Sequence, residues 1–337
     1  MRKKLIVMQL QSDPSIEGVI LNPYVKLLTD ALPSNRIRTR WFRWRGILTD
    51  RFDVLHVHWP EFYIRHERAM GRLIKTVLFS VFLTRLWIQR KPVVRTVHNL
   101  KPHESGSRFE ALLLSWLDAM TTRWVVMNES TPTPDAKATV LIPHGHYREW
   151  YQIPSDAKPQ PGSLLTFGRI RAYKGIDELL EAFSHLDTSV NVSLKVMGKP
   201  DGVETVESLR NFADDDSRIS LDMRFIPDDE LALSIAMCQV VVLPYRDILN
   251  SGSALLALSL NRPVVMRETP STLLLQNEFG PEWVHLFKGS LTSDVLVYAL
   301  EKASERDLAD SVDMSRREWD VIGRQLANAY ESASRAV

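Results

Sequence analysis

A single cysteine, Cys238, stands in 337 residues, which excludes an internal disulfide and fits a reducing compartment. No apolar run reaches the roughly 18–20 residues of a membrane span. The amino terminus, MRKKLIVMQLQ, is basic and then apolar, but its apolar run is too short for a signal peptide and leads into polar residues. It reads instead as a first strand, Leu5–Leu10. No G-x-G-x-x-G follows that strand, which removes the signature of a nicotinamide-dependent dehydrogenase. Metal-ligand spacing is also missing. His56 and His58 point the same way from one strand, yet no Cys, Asp or third His follows at ligand distance, so no metal is expected.

What remains is the composition of a globular protein, 45% hydrophobic and 25% charged, with a length suited to two domains. Net charge is +1, but it is unevenly spread. Residues 1–150 carry 23 Lys and Arg against 13 Asp and Glu, and the remainder carries 19 against 28. A basic first half beside an acidic second half suggests an anionic partner for the first, nucleic acid or a membrane surface.

The stretch Leu164–Phe183, LLTFGRIRAYKGIDELLEAF, organises the second half. Leu164–Phe167 reads as a buried strand broken at Gly168, and Leu179, Leu180 and Phe183 repeat at helical spacing. The loop between them holds Arg169, Arg171, Lys174 and Gly175. Such a loop lies at the carboxyl edge of a parallel sheet, where cations and helix N-termini hold phosphate; an ordinary βα turn with solvated cations is the plain alternative. A second strand, Val240–Leu243, leads through PYRDILNSGS into a helical pattern over Ala254–Leu260. The small residues Asn250, Ser251, Gly252 and Ser253 let backbone N–H groups approach an anion where the helix dipole favours negative charge. Two phosphate-suited loops in one domain point to a diphosphate.

GRIRAYKGIDELLEAF resembles the GR…KG…LL.A motif of GT-B glycosyltransferases, the family 4-like ones in particular, and PYRDILNSGSALLALSLNRPVV is similar to their donor-binding segment. With HVHWPE, TVHNLKPHE and IPHGHY upstream, the resemblance extends to bacterial exopolysaccharide mannosyltransferases that use GDP-mannose. It implies an α/β fold of two Rossmann-like, doubly wound parallel-sheet domains facing a central cleft. The first, residues 1–150, would bind the acceptor, and residues 163–312 the nucleotide sugar. Residues 313–337 would form a helix crossing back to the first domain. Gly168, Arg169 and Lys174 would meet the diphosphate, and the turn at Phe225 and Ile226 the nucleobase. No metal or other cofactor is implied, and the acceptor would be a lipid-linked or polysaccharide saccharide.

The first half supplies the acceptor-side candidates. Asn22 is a plausible N-cap for a helix from Pro23 in the loop that borders the acceptor cleft of GT-B enzymes. His58, Trp59 and Glu61 follow the strand Val54–Val57, at the edge where α/β domains meet ligands. His98 follows Val93–Val97 at the place where the resembled enzymes keep a histidine near the transferred sugar, and Glu104 lies farther along that loop. His144 falls where the chain passes between domains, Gly145 reads as a turn glycine needing positive φ, and Tyr151–Gly162 as the linker. Arg36–Arg45 mixes five arginines with aromatics, and Ile64–Ile88 is a long basic-apolar helical stretch. Both suit a lipid headgroup layer, with a solvated strand edge and a sheet-covering helix as the plain alternatives. No nucleic-acid module surrounds them. A peripheral, cytoplasmic location at the inner face of the plasma membrane is the expectation.

The resembled enzymes commonly carry two glutamates eight residues apart around the donor helix; Ile248 and Leu256 stand at those positions here. That favours an inverting transfer with a general base from the first domain, for which Glu61, His98 and Glu104 are the candidates. The rival from another class is a non-catalytic GT-B-like partner that binds nucleotide sugar at a membrane-surface complex.

Overall fold

A computed structural model describes residues 4–14, 16, 22–98, 106–154, 157–189, 191–247, 249–307 and 309–336. The chain divides into two compact units, Met1–Gly145 with Arg316–Val337, and His146–Ser315.

The first unit is built on a six-stranded, all-parallel sheet in the order β2-β1-β3-β4-β5-β6. Its strands are β1 (Leu5–Gln9), β2 (Ile37–Trp41), β3 (Val54–Val57), β4 (Val93–Val97), β5 (Thr121–Val126) and β6 (Thr139–Leu141). Side chains alternate across the sheet. Met8, Leu55, Val57 and Val93 point to one face, where Phe79, Phe82, Leu83 and Leu86 of α2 (Ala69–Ile88) and Leu113 and Leu117 of α3 (Arg108–Ala119) bury them. Gln9, His56 and Thr96 point to the other face, which carries α1 (Pro23–Asp30) and the last helix, α10 (Trp319–Arg335). β2 is an edge strand, and three of the five arginines in and around it are paired: Arg36 with Glu331 at 2.8 Å, Arg40 and Arg43 with Asp50 at 3.1 and 3.3 Å. Phe42 is buried against Trp44, Tyr63 and Phe82, so the arginine-aromatic stretch spends this ring on the core rather than on a lipid or nucleic-acid surface.

The second unit repeats the architecture in the order β12-β11-β10-β7-β8-β9. Its strands are β7 (Ser163–Phe167), β8 (Ser193–Met197), β9 (Ile219–Asp222), β10 (Val240–Leu243), β11 (Val264–Arg267) and β12 (Val284–Phe287). The helices are α4 (Ile176–Ser184), α5 (Val203–Asp215), α6 (Asp228–Met237), α7 (Gly252–Ser259), α8 (Pro270–Phe279) and α9 (Ser293–Ser304). Leu179, Leu180 and Phe183 of α4 and Leu296 and Ala299 of α9 close one face over Leu164, Val240 and Val265. Strand order reverses between the adjacent β7 and β10, the place where open α/β sheets leave a crevice at their carboxyl ends.

Two local readings change. Tyr151–Gly162 is no free linker: Tyr151 is buried with its hydroxyl 3.3 Å from Asp228, and Gln160 N–H donates to the Met237 carbonyl at 2.8 Å. The crossing between units falls instead at Gly145 and His146. Gly145 is absent from the positive-φ glycines; space, not backbone conformation, requires it, since a Cβ there would lie 2.4 Å from the Trp319 ring.

Candidate active site

In the second unit, the loops after β7 and β10 meet at the reversal point. Gly168 turns the chain at φ +93°, and a Cβ on it would lie 2.9 Å from Lys174 Nζ and 3.9 Å from Ser253 Oγ. The glycine therefore keeps open a space between the ammonium and the first turn of α7. Lys174 is buried; its ammonium donates to the Phe167 carbonyl at 3.4 Å and lies 4.9 Å from the centre of the Tyr245 ring. Among the described residues no carboxylate forms an ion pair with it. Gly175 is left-handed (φ +63°) and so close to the second loop that a Cβ would come within 2.5 Å of the Pro244 carbonyl. Arg246 binds the loops together, donating to the Ala172 carbonyl at 2.9 Å and to Asp177 at 2.6 Å. On the α7 side, Ser251 accepts from Ala254 N–H at 3.0 Å, so its hydroxyl serves as the cap. The N–H groups of Gly252 and Ser253 belong to the turn that a helix cannot satisfy from within.

Arg169 is turned toward the loop after β8. Its guanidinium is 62% exposed and engages Asp201 at 2.5 Å, and Arg171 takes the other oxygen of that carboxylate at 2.7 Å. Nothing in the sequence spacing links Asp201, after β8, to these arginines; the neighbouring strands bring it there. A Cβ on Gly198 would lie 2.0 Å from the Gly168 carbonyl, which shows how tightly the β7 and β8 loops pack. One strand farther along, Phe225 is 69% exposed and Ile226 half-buried. Asn250 is likewise half-buried, before the α7 cap.

In the first unit, the reversal point lies between β1 and β3, and histidines gather at the carboxyl end. His58 Nδ1 is 3.0 Å from His98 Nε2, Trp59 stacks on the His98 ring at 4.0 Å, and Tyr24 meets both imidazoles edge-on at 5.9 and 5.3 Å. His98 and Trp59 are half-buried, whereas His58 is only 3% exposed and its Nε2 has no hydrogen-bond partner among the described residues. His144 packs on Tyr24 at 4.4 Å, turns its Nδ1 onto the Gly145 carbonyl at 2.7 Å, and accepts at its own carbonyl from Arg317 at 2.8 Å. Behind them His56 lies between Gln9 (2.9 Å), Thr96 (2.8 Å) and the Tyr330 hydroxyl (2.7 Å).

Burial costs a charged imidazole its hydration. It pushes His58 down to about 3 and His144 to about 4. His56 and His98 are also held well below the ordinary value, by burial first and then by neighbouring imidazoles. All four are therefore neutral near pH 7.

The remaining candidates part company with this group. Asn22 caps α1, its carbonyl oxygen accepting from Tyr24 N–H at 2.9 Å, and Tyr24 rather than Asn22 reaches the imidazoles. Sequence reasoning passed over Tyr24, Trp319 and Tyr245 because rings read as core. Glu61 is held in a short 3₁₀ turn, Pro60–Tyr63, and burial raises its pKa against Arg65 and Arg95. Arg95 points to the face opposite Thr96, so Glu61 answers to charges on the α2–α3 side rather than to His98. Glu104 lies outside the described residues.

The model of glycosyl transferases group 1 matches residues 161–280, the span that carries both phosphate-suited loops. A GDP-mannose:glycolipid 4-beta-D-mannosyltransferase of Xanthomonas campestris pv. campestris is 38% identical over 313 residues, covering 93% of this chain and 88% of that protein. Among solved structures, Anabaena Alr3699/HepE in complex with UDP superposes with a TM-score of 0.67 at 14% identity, over 98% of this chain and 100% of that one. AviGT4, a glycosyltransferase involved in avilamycin A biosynthesis, does so with 0.61 at 13% identity, over 99% of each chain. These structural likenesses establish the GT-B fold, and the sequence relative extends across both units. The chain belongs to the group 1 glycosyltransferases, and it is a glycosyltransferase.

Proposed function

We propose that the protein transfers mannose from GDP-mannose to a 4-hydroxyl of a lipid-linked saccharide, with inversion and without a metal. One observation carries the donor side: Lys174 is a buried cation with no carboxylate ion pair among the described residues, next to the start of α7 across the space that Gly168 leaves open. A buried charge without a counter-charge is costly, and a diphosphate supplies one. The mannosyltransferase relative supports the choice of sugar, base and acceptor class, and favours an enzyme over a non-catalytic partner.

The chemistry follows from charge. As the bond from mannose C1 to the diphosphate oxygen breaks, its electron pair goes to the leaving diphosphate. Lys174 and the Gly252 and Ser253 N–H groups stabilise that charge, which is why no metal is needed. The acceptor oxygen bonds to C1 from the opposite side. Its proton passes to His98, the half-buried neutral imidazole at the carboxyl end of β4. Trp59 offers a half-exposed ring face for a sugar. An α-linked donor and a β-linked product require inversion, and an inverting route dispenses with the glutamates replaced here by Ile248 and Leu256. Phe225, the most exposed ring at this sheet edge, is suited to lie against a nucleobase.

The acceptor side includes a membrane surface. No helix among the described residues is long and apolar enough to cross a bilayer. Instead Met70, Leu73, Ile74, Val77 and Val81 form one exposed apolar row on α2, with Trp87 and Ile88 exposed at its end and Phe62 nearby. Arg68, Arg72 and Arg90 are exposed beside it. Apolar residues in the acyl boundary with cations at anionic headgroups is the pattern of an interfacial helix.

The test is direct. The protein is incubated with GDP-mannose and dodecyl β-glucoside in micelles, and the product is examined by NMR. A β-mannosyl linkage at the 4-position is expected. An α-linked product would end the inverting assignment, and turnover of UDP-glucose in preference to GDP-mannose would end the donor assignment.

A further inference from the structure

The buried His58 does not itself take the acceptor proton, and as a purely structural residue it is poorly chosen. Its surroundings are rings: His56 at 4.2 Å, Tyr24 at 5.9 Å, Trp59 at 5.6 Å. An apolar side chain would fill this place without burying an Nε2 that has no partner among the described residues, a deficit that costs stability in any fold. Among the described residues, the one polar contact that His58 makes is with His98, at 3.0 Å.

We propose that His58 is a positioning residue for His98, its Nδ1 accepting the proton on His98 Nε2 and so setting the tautomer and tilt of the reacting ring. This rests on the reading of His98 as the base. The direction of the bond follows from what His98 must become. An imidazolium carries protons on both nitrogens, so the hydrogen bond survives proton transfer only if His58 accepts. A His58 that donated from Nδ1 would face an N–H with an N–H once His98 was charged. Acceptance requires the His58 proton on Nε2, the buried nitrogen without a hydrogen-bond partner among the described residues. Burial keeps His58 neutral and therefore able to accept. Trp59 stacking fixes the plane of the His98 ring, and His58 fixes its rotation within that plane. This is the division of labour found wherever a base is held by a third group.

Three variants and one spectrum test it in the full-length chain, with GDP-mannose and dodecyl β-glucoside as substrates. His58→Phe keeps the ring and removes both nitrogens. The melting temperature should hold or rise while kcat falls about tenfold or more with KM for GDP-mannose unchanged. His58→Asn, whose amide oxygen replaces the accepting Nδ1, should recover most of the lost rate. Long-range 1H–15N spectra of histidine-labelled protein should show His98 protonated on Nε2 in the wild type and a mixture of tautomers in His58→Phe. A His58→Phe protein that melts far lower but turns over normally per folded molecule would make His58 structural only. Wild-type His98 protonated on Nδ1 would overturn the direction of the bond. His98→Ala separates the two readings. If it turns over normally, the base assignment fails and this inference falls with it. If it is inactive while His58→Phe is not, this inference alone fails.

Discussion

Lys174 and Arg169 carry the same charge five residues apart, and the fold treats them in opposite ways. Arg169 is mostly exposed and paired with Asp201, whereas Lys174 is buried without a carboxylate ion pair among the described residues. An exposed pair contributes little in water, about 0–1 kcal/mol, while a buried donor aimed at a developing oxyanion contributes about 2.7–4 kcal/mol to the transition state. Lys174→Met should therefore lower kcat/KM by about 10²–10³, and Arg169→Met by less than about tenfold. Stability should move the other way for the lysine, because replacing an uncompensated buried charge with an apolar chain of similar length is neutral or favourable. Steady-state kinetics and thermal melts of the two variants decide it. Equal losses of activity would mean that Arg169 leaves Asp201 for the donor.

At the scale of the element, α2 and α10 show how far a helix is determined by what covers it. α10 has a polar outer side, but Tyr330 is fully buried and closes the Gln9–His56–Thr96 group, and Gly323 lets the helix lie against the Ala31 carbonyl, where a Cβ would come within 2.0 Å. The later half of α2 is anchored through Phe79, Phe82, Leu83 and Leu86, while the row from Met70 to Val81 is exposed. If that row meets lipid, Leu73→Asp combined with Val77→Asp should abolish sedimentation with vesicles containing anionic lipid and leave the melting temperature unchanged. Raising the salt from 0.1 M to 1 M should weaken wild-type binding, since the Debye length falls from about 10 Å to about 3 Å. Unchanged binding by the double variant would move the contact elsewhere.

At the scale of the whole molecule, stability should depend on pH through the histidines. His56, His58, His98 and His144 all have depressed values when folded, while the unfolded chain takes up protons near the ordinary value of 6.5. Their contribution is fully present above 6.5 and is lost as pH falls from there toward the folded values, about 3 for His58 and about 4 for His144. For His58 and His144 the full slope is about 1.4 kcal/mol per pH unit below that point. Urea unfolding at pH 7.5, 6.5 and 5.5 should show a steep decline over a range where most carboxylates stay ionised. A flat profile would mean that these imidazoles titrate in the native state as they do in the unfolded chain.

Much of this was legible without coordinates. Short apolar runs ended by glycine or proline, alternating with helical periodicity, marked β7, α4, β10 and α7 because strand and helix periods are local properties of the chain. α8 and β12 have mixed faces that periodicity does not separate. The phosphate-suited loops were visible because glycine, cations and a helix start are close in sequence. Which cation is buried, which is paired to Asp201, and which strands flank the reversal were not, since these depend on residues 30 to 80 positions apart.

The amino-acid order by itself determined two parallel α/β units, a phosphate-suited loop with its lysine and glycines, and an absence of disulfides and of long apolar runs, all consequences of composition and short-range pattern. Only the tertiary structure decided that His58 would grip His98, that Glu61 would turn to the other side of the sheet, and that a terminal helix would close over His56. Contacts of that kind arise when distant strands are laid side by side, and no local spacing records them.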